Sequence, residues 1–309
     1  MLTRALGLRR SETLEAAFRR VLFEQFDFVA LSLDSEPKAI GRAVHVARRT
    51  LKKIRALLRL VASGEGGRVM AAPLINLRDA GRSLAAVRHA DVIVTVVRAA
   101  IADLPTSHDP GPLANLERCL VAERESVLGA QAAAALSIAS RQTGAARRVF
   151  EGWKPSATAF DLIRAGIRDW HGRGRNAKKA ACGGANTEAF HTWRKRAKDV
   201  RYQLQFLSPL APEMVAAAED LHRLTNLLGD ANDLDHLEAA AQLHDPAAFM
   251  EEDSAFQFLA DRRGSLWTAA CSLAPDFFAE DSKDYGSRLE SYWDVWVTEG
   301  PQSTDLGQG

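Results

Sequence analysis

Two segments of the chain carry the same series of cationic residues at helical spacing. The first is residues 43–60, AVHVARRTLKKIRALLRL, in which every charge is positive. The second is residues 189–207, AFHTWRKRAKDVRYQLQFL, which superposes on 43–61 with a shift of 146 residues. The shared pattern is His-x-x-Arg-(Arg/Lys)-x-x-Lys-x-x-Arg. Its members are His45, Arg48, Arg49, Lys52 and Arg55 in the first segment, and His191, Arg194, Lys195, Lys198 and Arg201 in the second.

Helical geometry gathers these side chains into a stripe beside an apolar face. At about 100° per residue, the stripe of the first segment also takes in Arg59, while Val44, Leu51 and Ile54 lie on the neighbouring face. Like charges three or four residues apart destabilise a helix by roughly 0.2–0.5 kcal/mol per pair. One such stripe alone is typical of a solvated surface. Its recurrence instead favours a shared anion, or facing carboxylates, as the partner that neutralises both stripes.

Residues of the predicted third helix of each half could pack against, or pair with, the basic helix that precedes it. Gly229 within a helix costs about 1 kcal/mol relative to Ala, which predicts a close helix approach there. Asp91 and Asp235 occupy equivalent positions, from which each could orient an Arg or His of the preceding helix. Three further cationic positions lie in the first half: Arg78, Arg82 and Arg88.

The overall charge hides a strong asymmetry along the chain. The net charge is +1, but residues 1–201 carry 35 Lys and Arg against 19 Asp and Glu, and residues 202–309 carry 5 against 20. This distribution predicts a basic surface for an anionic ligand and an acidic carboxy-terminal region.

The spacing of the cysteines and the hydropathy of the chain indicate the cellular compartment. Cys119, Cys182 and Cys271 are far apart and lack Cys-x-x-Cys spacing, so we expect neither a disulfide framework nor a zinc site, and a reducing compartment. The amino terminus is too poor in apolar residues for a signal peptide, and no run of 18 apolar residues occurs. These features predict a cytoplasmic protein.

The periodicity predicts an all-α protein. In the first half, a helix capped by Ser11 runs to Leu33, and the basic helix is followed by helices over 69–104 and 113–148. In the second half, we expect a helix from Ser156 to Cys182, the basic helix from Asn186 or Thr187 to Ser208, and helices over 212–244 and 247–274. A last helix, 283–298, should dock on the body through Tyr292, Trp293 and Trp296. Long helices with short loops predict two tandem antiparallel four-helix bundles, residues 1–150 and 151–309, related by pseudo-two-fold symmetry.

These residues resemble the conserved histidine α-helical domain, or CHAD, over about residues 11–275. The resemblance rests on the two His-x-x-Arg motifs and on the segment from Leu227 to Asp235, LLGDANDLD. It implies a protein that binds inorganic polyphosphate in a central basic channel between the bundles, with sulfate or phosphate as stand-ins. Polyphosphate granules are then one candidate location. The chain departs from the family at His89 and Val46, where Asp is usual, and at Asp199, which interrupts the second basic helix. No strand pattern of the fused triphosphate-tunnel hydrolase domain is visible.

The physical pattern supports a linear polyanion. Successive stripe residues rise about 4.5–6 Å along a helix, so two facing stripes make a ladder of charge for a chain with one negative charge per phosphoryl unit. We therefore predict polyphosphate contacts from both motifs and from Arg59, Arg78, Arg82 and Arg88.

Two other classes of function remain open. A metal-binding protein or metal-dependent phosphohydrolase would use His45, His191, Asp91, Asp233 and Asp235, although cationic neighbours would repel a metal. The second class is an adaptor for nucleic acid or an acidic protein; aromatic residues are not interleaved with the stripe as base stacking demands. No Walker loop, nucleophile elbow or paired general acid and base is present, so we expect a non-enzyme without cofactor or metal.

Overall fold

The described part of the chain is helical throughout. The computed structural model describes residues 6–10, 12–34, 39–64, 66–155, 159–184, 186–244, 254–273 and 276–299, which contain ten α-helices and no strand. The all-α prediction is therefore confirmed. The first-half helices are α1 Leu14–Leu33, α2 Ile40–Ala62, α3 Gly67–Ser83, α4 Ala85–Asp103 and α5 Gly111–Glu151. The second-half helices are α6 Asp161–Cys182, α7 Thr187–Leu207, α8 Pro212–His244, α9 Ser254–Leu273 and α10 Ser282–Thr298.

Three helices begin at side-chain caps. The Asn186 side chain accepts a hydrogen bond from the backbone of Ala189 at 3.2 Å, which starts α7 where the sequence predicts. Thr13 caps α1 and Asp281 caps α10 in the same way. The predicted caps Ser11 and Ser156 lie outside the described residues, as do both predicted ends of the 247–274 helix.

The predicted helix over 69–104 is in fact two helices. The backbone leaves the α-helical region at Leu84, with φ −83° and ψ 1°, and the Leu84 side chain is fully buried. The Ser83 hydroxyl donates to the Ala80 carbonyl at 2.9 Å and to the Ala135 carbonyl of α5 at 3.2 Å. This break turns the chain from α3 into α4, whereas α8, at the equivalent place, continues unbroken.

The two halves share their apolar cores. Within the first half α1 packs on α2 and α5, and α3 and α4 both pack along α5; in the second, α7 packs on α6 and α8, and α9 packs on α8. Across the halves α2 contacts α6 and α7, and α4 contacts α8. One large core combines residues of α1, α2 and α5 with residues of α6, α7 and α8, and a smaller core joins α4 and α5 to α8 and α9.

A glycine lets the halves approach closely. A Cβ atom at Gly166 of α6 would lie 2.0 Å from the carbonyl oxygen of Leu60 in α2, a distance that no side chain tolerates. Nearby, the Gln203 amide of α7 donates to the Ala56 carbonyl of α2 at 3.0 Å. These contacts set α2 against α6 and α7, which matters because α2 and α7 carry the cationic stripes.

The carboxy-terminal helix docks as predicted. Trp293 of α10 is buried in the large core, and Tyr292 and Trp296 pack partly buried against it. No helix in the described ranges is long and apolar enough to cross a membrane.

The expectation of unpaired cysteines is wrong. Cys182, at the end of α6, and Cys271, near the end of α9, form a disulfide, while Cys119 is free and exposed. The paired residues are 89 positions apart, and only the packing of the second half brings the two helix ends together. Spacing along the chain therefore carried no information about this pair.

Candidate functional site

The cationic stripes of α2 and α7 converge on one space, formed by two adjoining cavities of about 480 Å³ and about 780 Å³. We call the first the guanidinium lobe and the second the histidine lobe. The residues that line both lobes are Arg48, Lys52, Ala85, Arg194, Lys198 and Tyr202. The guanidinium lobe adds Leu51, Arg55, Arg59, Leu77, Arg78, Gly81, Arg82, Thr192, Lys195, Arg196 and Asp199. The histidine lobe adds His45, Arg49, Arg88, His89, Val92, Arg201, Gln205, His222, Asn226, Asn232, Asp233 and His236.

Both lobes are strongly positive. Ten Lys and Arg residues and a single carboxylate, Asp199, line the guanidinium lobe. Seven Lys and Arg residues, four histidines and a single carboxylate, Asp233, line the histidine lobe. Cations crowded in a partly dehydrated space repel one another strongly, so an anion in this cavity would relieve repulsion as well as form contacts.

The apolar faces of the two helices explain why the stripes point inward to the cavity. In α2, Val44, Leu51 and Ile54 are buried, and in α7 Trp193 and Ala197 are fully buried. Each apolar face is turned into the core, so the neighbouring stripe follows the edge of the core and borders the cavity. The arrangement of Arg48 and Lys52 opposite Arg194 and Lys198 thus follows from ordinary amphipathic packing.

Some cavity guanidiniums are held by protein groups. Arg59 pairs across the halves with Asp199 of α7 at 2.7 Å. Arg48 donates to the Gly81 carbonyl, and Arg201 donates to the Thr225 hydroxyl at 3.0 Å.

Other donors in the cavity lack a partner among the described residues. The Nε–H groups of Arg55, Arg194 and Arg201 are buried without a hydrogen-bond acceptor. Leaving a buried donor unsatisfied costs about 1–3 kcal/mol, more for a charged group. Lys52 and Lys198 likewise form no ion pair with any carboxylate in the described ranges. The middle of the cavity therefore holds two lysine amines that no carboxylate of the described ranges pairs with.

The electrostatic cost is greatest at Lys198 and is also large at Lys52. Burial lowers the pKa of Lys198 to about 6, and the nearby Arg194, Lys52 and Arg201 add to the effect. Burial also lowers the pKa of Lys52 to about 8, with Arg48 the largest of the neighbouring charges. At neutral pH the Lys198 amine is thus mainly uncharged in the free protein.

Thirteen of the fourteen residues predicted from the sequence line one of the lobes; His191 does not. Its Nε2 atom lies 3.0 Å from Asp235 Oδ2, and Asp235 also pairs with Arg263 of α9 at 3.1 Å. The expectation that Asp235 orients a residue of the preceding helix is confirmed. The two histidines of the repeated motif thus differ, since His45 borders the histidine lobe.

Asp91 behaves differently from Asp235, and the expectation for it is wrong. It forms ion pairs with Arg124 of α5 at 2.9 Å and with Arg88 of its own helix at 3.4 Å, while its carboxylate also lies beside Gly41 of α2. The reason lies in α5, which runs beside α4 and brings a guanidinium to this carboxylate. The structural role predicted for Gly229 is also wrong, because a Cβ there would meet Arg194 at an ordinary contact distance of 3.8 Å.

Sequence reasoning missed most of one wall of the cavity and named only its Asp233, as a candidate metal ligand. Polar residues of α8 recur at helical spacings of four, seven and three, which places them on one face. This face borders the histidine lobe, and its ring contacts include His236 with His89 of α4, at 5.4 Å between centroids. This face is visible in the sequence as a polar series at helical spacing: His222, Asn226, Asp233 and His236. Arg196 and Tyr202 of α7 were missed as well.

Burial lowers the pKa of three histidines that line the histidine lobe. For His236 the neighbouring His89 is the next cause. For His222 and His45, cationic neighbours lower the pKa further. In the part of the chain that the structure describes, no three His, Cys, Asp or Glu side chains are grouped so as to hold a metal ion.

Comparisons with known proteins agree with this architecture. The family model of the CHAD domain matches residues 28–242, so the chain belongs to the CHAD family. The crystal structure of the CHAD domain from the plant Ricinus communis superposes with a TM-score of 0.59 at 17% sequence identity, covering 96% of each chain. No curated protein sequence matches the chain.

Proposed function

We propose that this protein binds inorganic polyphosphate in the cavity between α2 and α7. The observation that carries the proposal is the convergence of Arg48 and Lys52 with Arg194 and Lys198 on one space. An anionic ligand rich in acceptor oxygens would reduce the repulsion among these cations and accept hydrogen bonds from their exposed N–H groups.

A linear polyanion suits the cavity better than a small phosphate ester. The two lobes share their central residues, so cationic side chains continue from Arg82 and Arg78 through Lys52 and Lys198 to Arg49. Side chains one turn apart are separated by about 5 Å along each helix. A small ester would contact one or two of these positions, whereas a polymer would contact many at once.

Affinity for polyphosphate should therefore grow with chain length until the cavity is filled. Isothermal titration with triphosphate and with longer polyphosphates, at one ionic strength, measures this directly. Affinity should also fall steeply with added salt, because binding releases the counterions of the polyanion. Equal affinity for triphosphate and long chains would count against the proposal, and ATP and DNA in parallel titrations test the nucleotide and nucleic-acid alternatives.

Charge reversal in the cavity separates binding from folding. Lys52→Glu with Lys198→Glu should abolish the polyphosphate-induced rise in melting temperature while leaving the helical circular dichroism intact. The matched control is Lys154→Glu with Lys283→Glu, which makes the same change in net charge at exposed positions outside the cavity. Loss of binding in both double variants would show a general charge effect, and retention in both would exclude the cavity.

Binding should also be coupled to proton uptake. A polyanion stabilises the charged form of Lys198, so we expect about one proton to be taken up per protein at pH 7.5, where the pKa of about 6 leaves the free amine neutral. Titrations in two buffers of different ionisation enthalpy measure this number.

We propose a binding role without catalysis, because the sequence contains no Walker loop, nucleophile elbow or paired general acid and base. The proposed cytoplasmic location, including polyphosphate granules, has one observation against it. The disulfide between Cys182 and Cys271 is of a kind that is rare in reducing compartments. Alkylation of free thiols in intact cells, followed by mass spectrometry, decides the matter: both cysteines should be alkylated in the cytoplasm, and neither if the disulfide persists.

A further inference from the structure

Hydrogen bonding divides the eight histidines of the chain into two groups. Four have a ring nitrogen within hydrogen-bond distance of another protein group: His108, His171, His191 and His244. The other four line the histidine lobe: His45, His89, His222 and His236. Among the residues that the structure describes, the rings of these four form no hydrogen bond or ion pair, and all four residues are exposed. A ligand in the histidine lobe can therefore reach ring nitrogens that no protein group of the described ranges occupies.

Two of these rings meet across the boundary between the halves. His89 lies on α4 of the first half and His236 on α8 of the second, and α4 contacts α8. The ring centroids are 5.4 Å apart and the ring planes are inclined at 76°. A hydrogen bond from a charged N–H to an oxygen spans about 2.7–2.9 Å, so both rings can reach the oxygens of one phosphoryl group. The pair exists only because the two halves pack together.

The charges around this pair are mostly positive. The cationic and titratable groups that border the lobe with it are His45, Arg48, Arg49 and Lys52 of α2, Arg88 of α4, Arg194, Lys198, Arg201 and Tyr202 of α7, and His222 of α8. Asp233 of α8 is the single carboxylate of the lining. The acids behind the lining are already paired: Asp91 with Arg88 and Arg124, and Asp235 with His191 and Arg263. A polyanion in the lobe would bring negative charge next to the two rings, which favours their protonated forms.

We propose that His89 and His236 form a subsite for one phosphoryl group of the bound polyphosphate, whose oxygens accept hydrogen bonds from both rings; this inference rests on the proposed function. A phosphoryl oxygen without a proton only accepts hydrogen bonds, so each ring must present an N–H to it. A neutral imidazole has one N–H and a protonated imidazole has two, and bonds from the charged form are about twice as strong. The subsite therefore binds most tightly when both rings are protonated.

The subsite makes the affinity for polyphosphate depend on pH. Guanidinium groups stay charged at every physiological pH, whereas an ordinary imidazole has a pKa of about 6.5. Because the polyanion favours the protonated rings, they take up protons on binding, and affinity rises as the pH falls through this range. Each proton taken up raises the affinity by up to about tenfold per pH unit. This uptake adds to that expected at Lys198, so the contribution of the rings is measured by difference.

The experiment measures affinity for long-chain polyphosphate at pH 8 and pH 6, by isothermal titration in chloride buffers of one ionic strength. Long chains are chosen because only their terminal phosphates change charge near pH 6. It compares the full-length wild type with His89→Gln combined with His236→Gln, which keeps polar side chains that do not titrate. The matched control is His108→Gln with His244→Gln, at two histidines outside the cavity lining.

Between pH 8 and pH 6 the wild type should gain about tenfold more affinity than the variant that lacks His89 and His236. The control should gain as much as the wild type. Lys198 is present in all three proteins, so its contribution cancels in the comparison.

Nuclear magnetic resonance of the ring Cε1–H groups gives a second readout, at each histidine of the wild type. Added long-chain polyphosphate should raise the titration midpoints of His89 and His236 by about one pH unit and leave those of His108 and His244 unchanged. Equal shifts at all four histidines would show a general charge effect and overturn the subsite.

The two proposals can fail separately. A gain in affinity as large in the variant lacking His89 and His236 as in the wild type would overturn the subsite and leave the proposed function standing. No binding of polyphosphate by the wild type at either pH would overturn the proposed function, and the subsite with it.

Discussion

Removing the Lys198 charge should stabilise the free protein. The change Lys198→Met keeps an unbranched side chain of good helix propensity and removes the amine that burial and three facing cations disfavour. A base whose folded pKa lies below its unfolded pKa opposes folding at any pH below the unfolded value. Lys198, at about 6 when folded, against about 10.4 when unfolded, should therefore weaken the fold at pH 7.

The pKa difference sets an upper limit on the effect. At pH 7 the unfolded chain holds about one more proton on Lys198 than the folded chain does. Integrated over pH, this difference lowers the free energy of unfolding by roughly 4–5 kcal/mol. Lys198 is partly exposed and titrates together with Lys52, so screening and coupling reduce the effect. We expect Lys198→Met to stabilise the protein by about 1–3 kcal/mol at pH 7.

Urea unfolding in chloride buffers without phosphate or sulfate measures this gain, because multivalent anions would occupy the cavity. The free energy of unfolding of the wild type should rise between pH 7 and pH 9, since the unfolded state binds more protons over that window. The rise should be smaller in Lys198→Met. Lys195→Met, at an exposed position one turn away, is the control and should change stability by about 0.5 kcal/mol or less. A Lys198→Met protein no more stable than wild type, with the same pH dependence, would refute the reasoning.

Two further predictions concern packing and the acid that holds a histidine. Gly166→Ala should be strongly destabilising in thermal melts, because its Cβ would lie 2.0 Å from the Leu60 carbonyl oxygen. The control is Gly129→Ala, where no atom lies within 4 Å of the added Cβ; it should stabilise α5 by about 0.5–1 kcal/mol. Equal effects of the two substitutions on stability would contradict the close approach of α6 to α2. Asp235→Asn should destabilise the fold by about 2–4 kcal/mol. The change removes the charge from a buried carboxylate that contacts His191 and Arg263. The polyphosphate affinity of the Asp235→Asn variant should stay within about threefold of wild type, because His191 lies outside the cavity lining. A loss of affinity of more than tenfold would contradict this and place His191 in the site.

Local features of the molecule could be predicted from the sequence. Helical periodicity decides which face of a helix is apolar, so the positions of α2, α7 and α8, and the cationic stripes of α2 and α7, follow from residue order alone. The Asn186 cap and the docking of α10 are local in the same sense. The 146-residue repeat also shows that the two stripes are equivalent, from which their convergence is a reasonable expectation.

What the sequence could not decide depends on how the helices are placed relative to one another. His45 and His191 occupy the same position of one motif, yet His45 borders the cavity and His191 binds Asp235. Asp91 is equivalent to Asp235 but pairs with Arg124, since α5 lies beside it. Residue spacing specifies directions around a helix axis but not the neighbour that each direction meets.

Charge states were decided by tertiary structure for a related reason. The motif makes Lys52 and Lys198 look like ordinary cations, and the low pKa of Lys198 arises only when packing removes water and sets Arg194 and Arg201 against it. The Cys182–Cys271 disulfide likewise requires the ends of α6 and α9 to meet. The sequence by itself determined the helices, their faces and the repeated stripe. Which groups touch, and which amine loses its proton, depended on distances and burial that exist only in the folded chain.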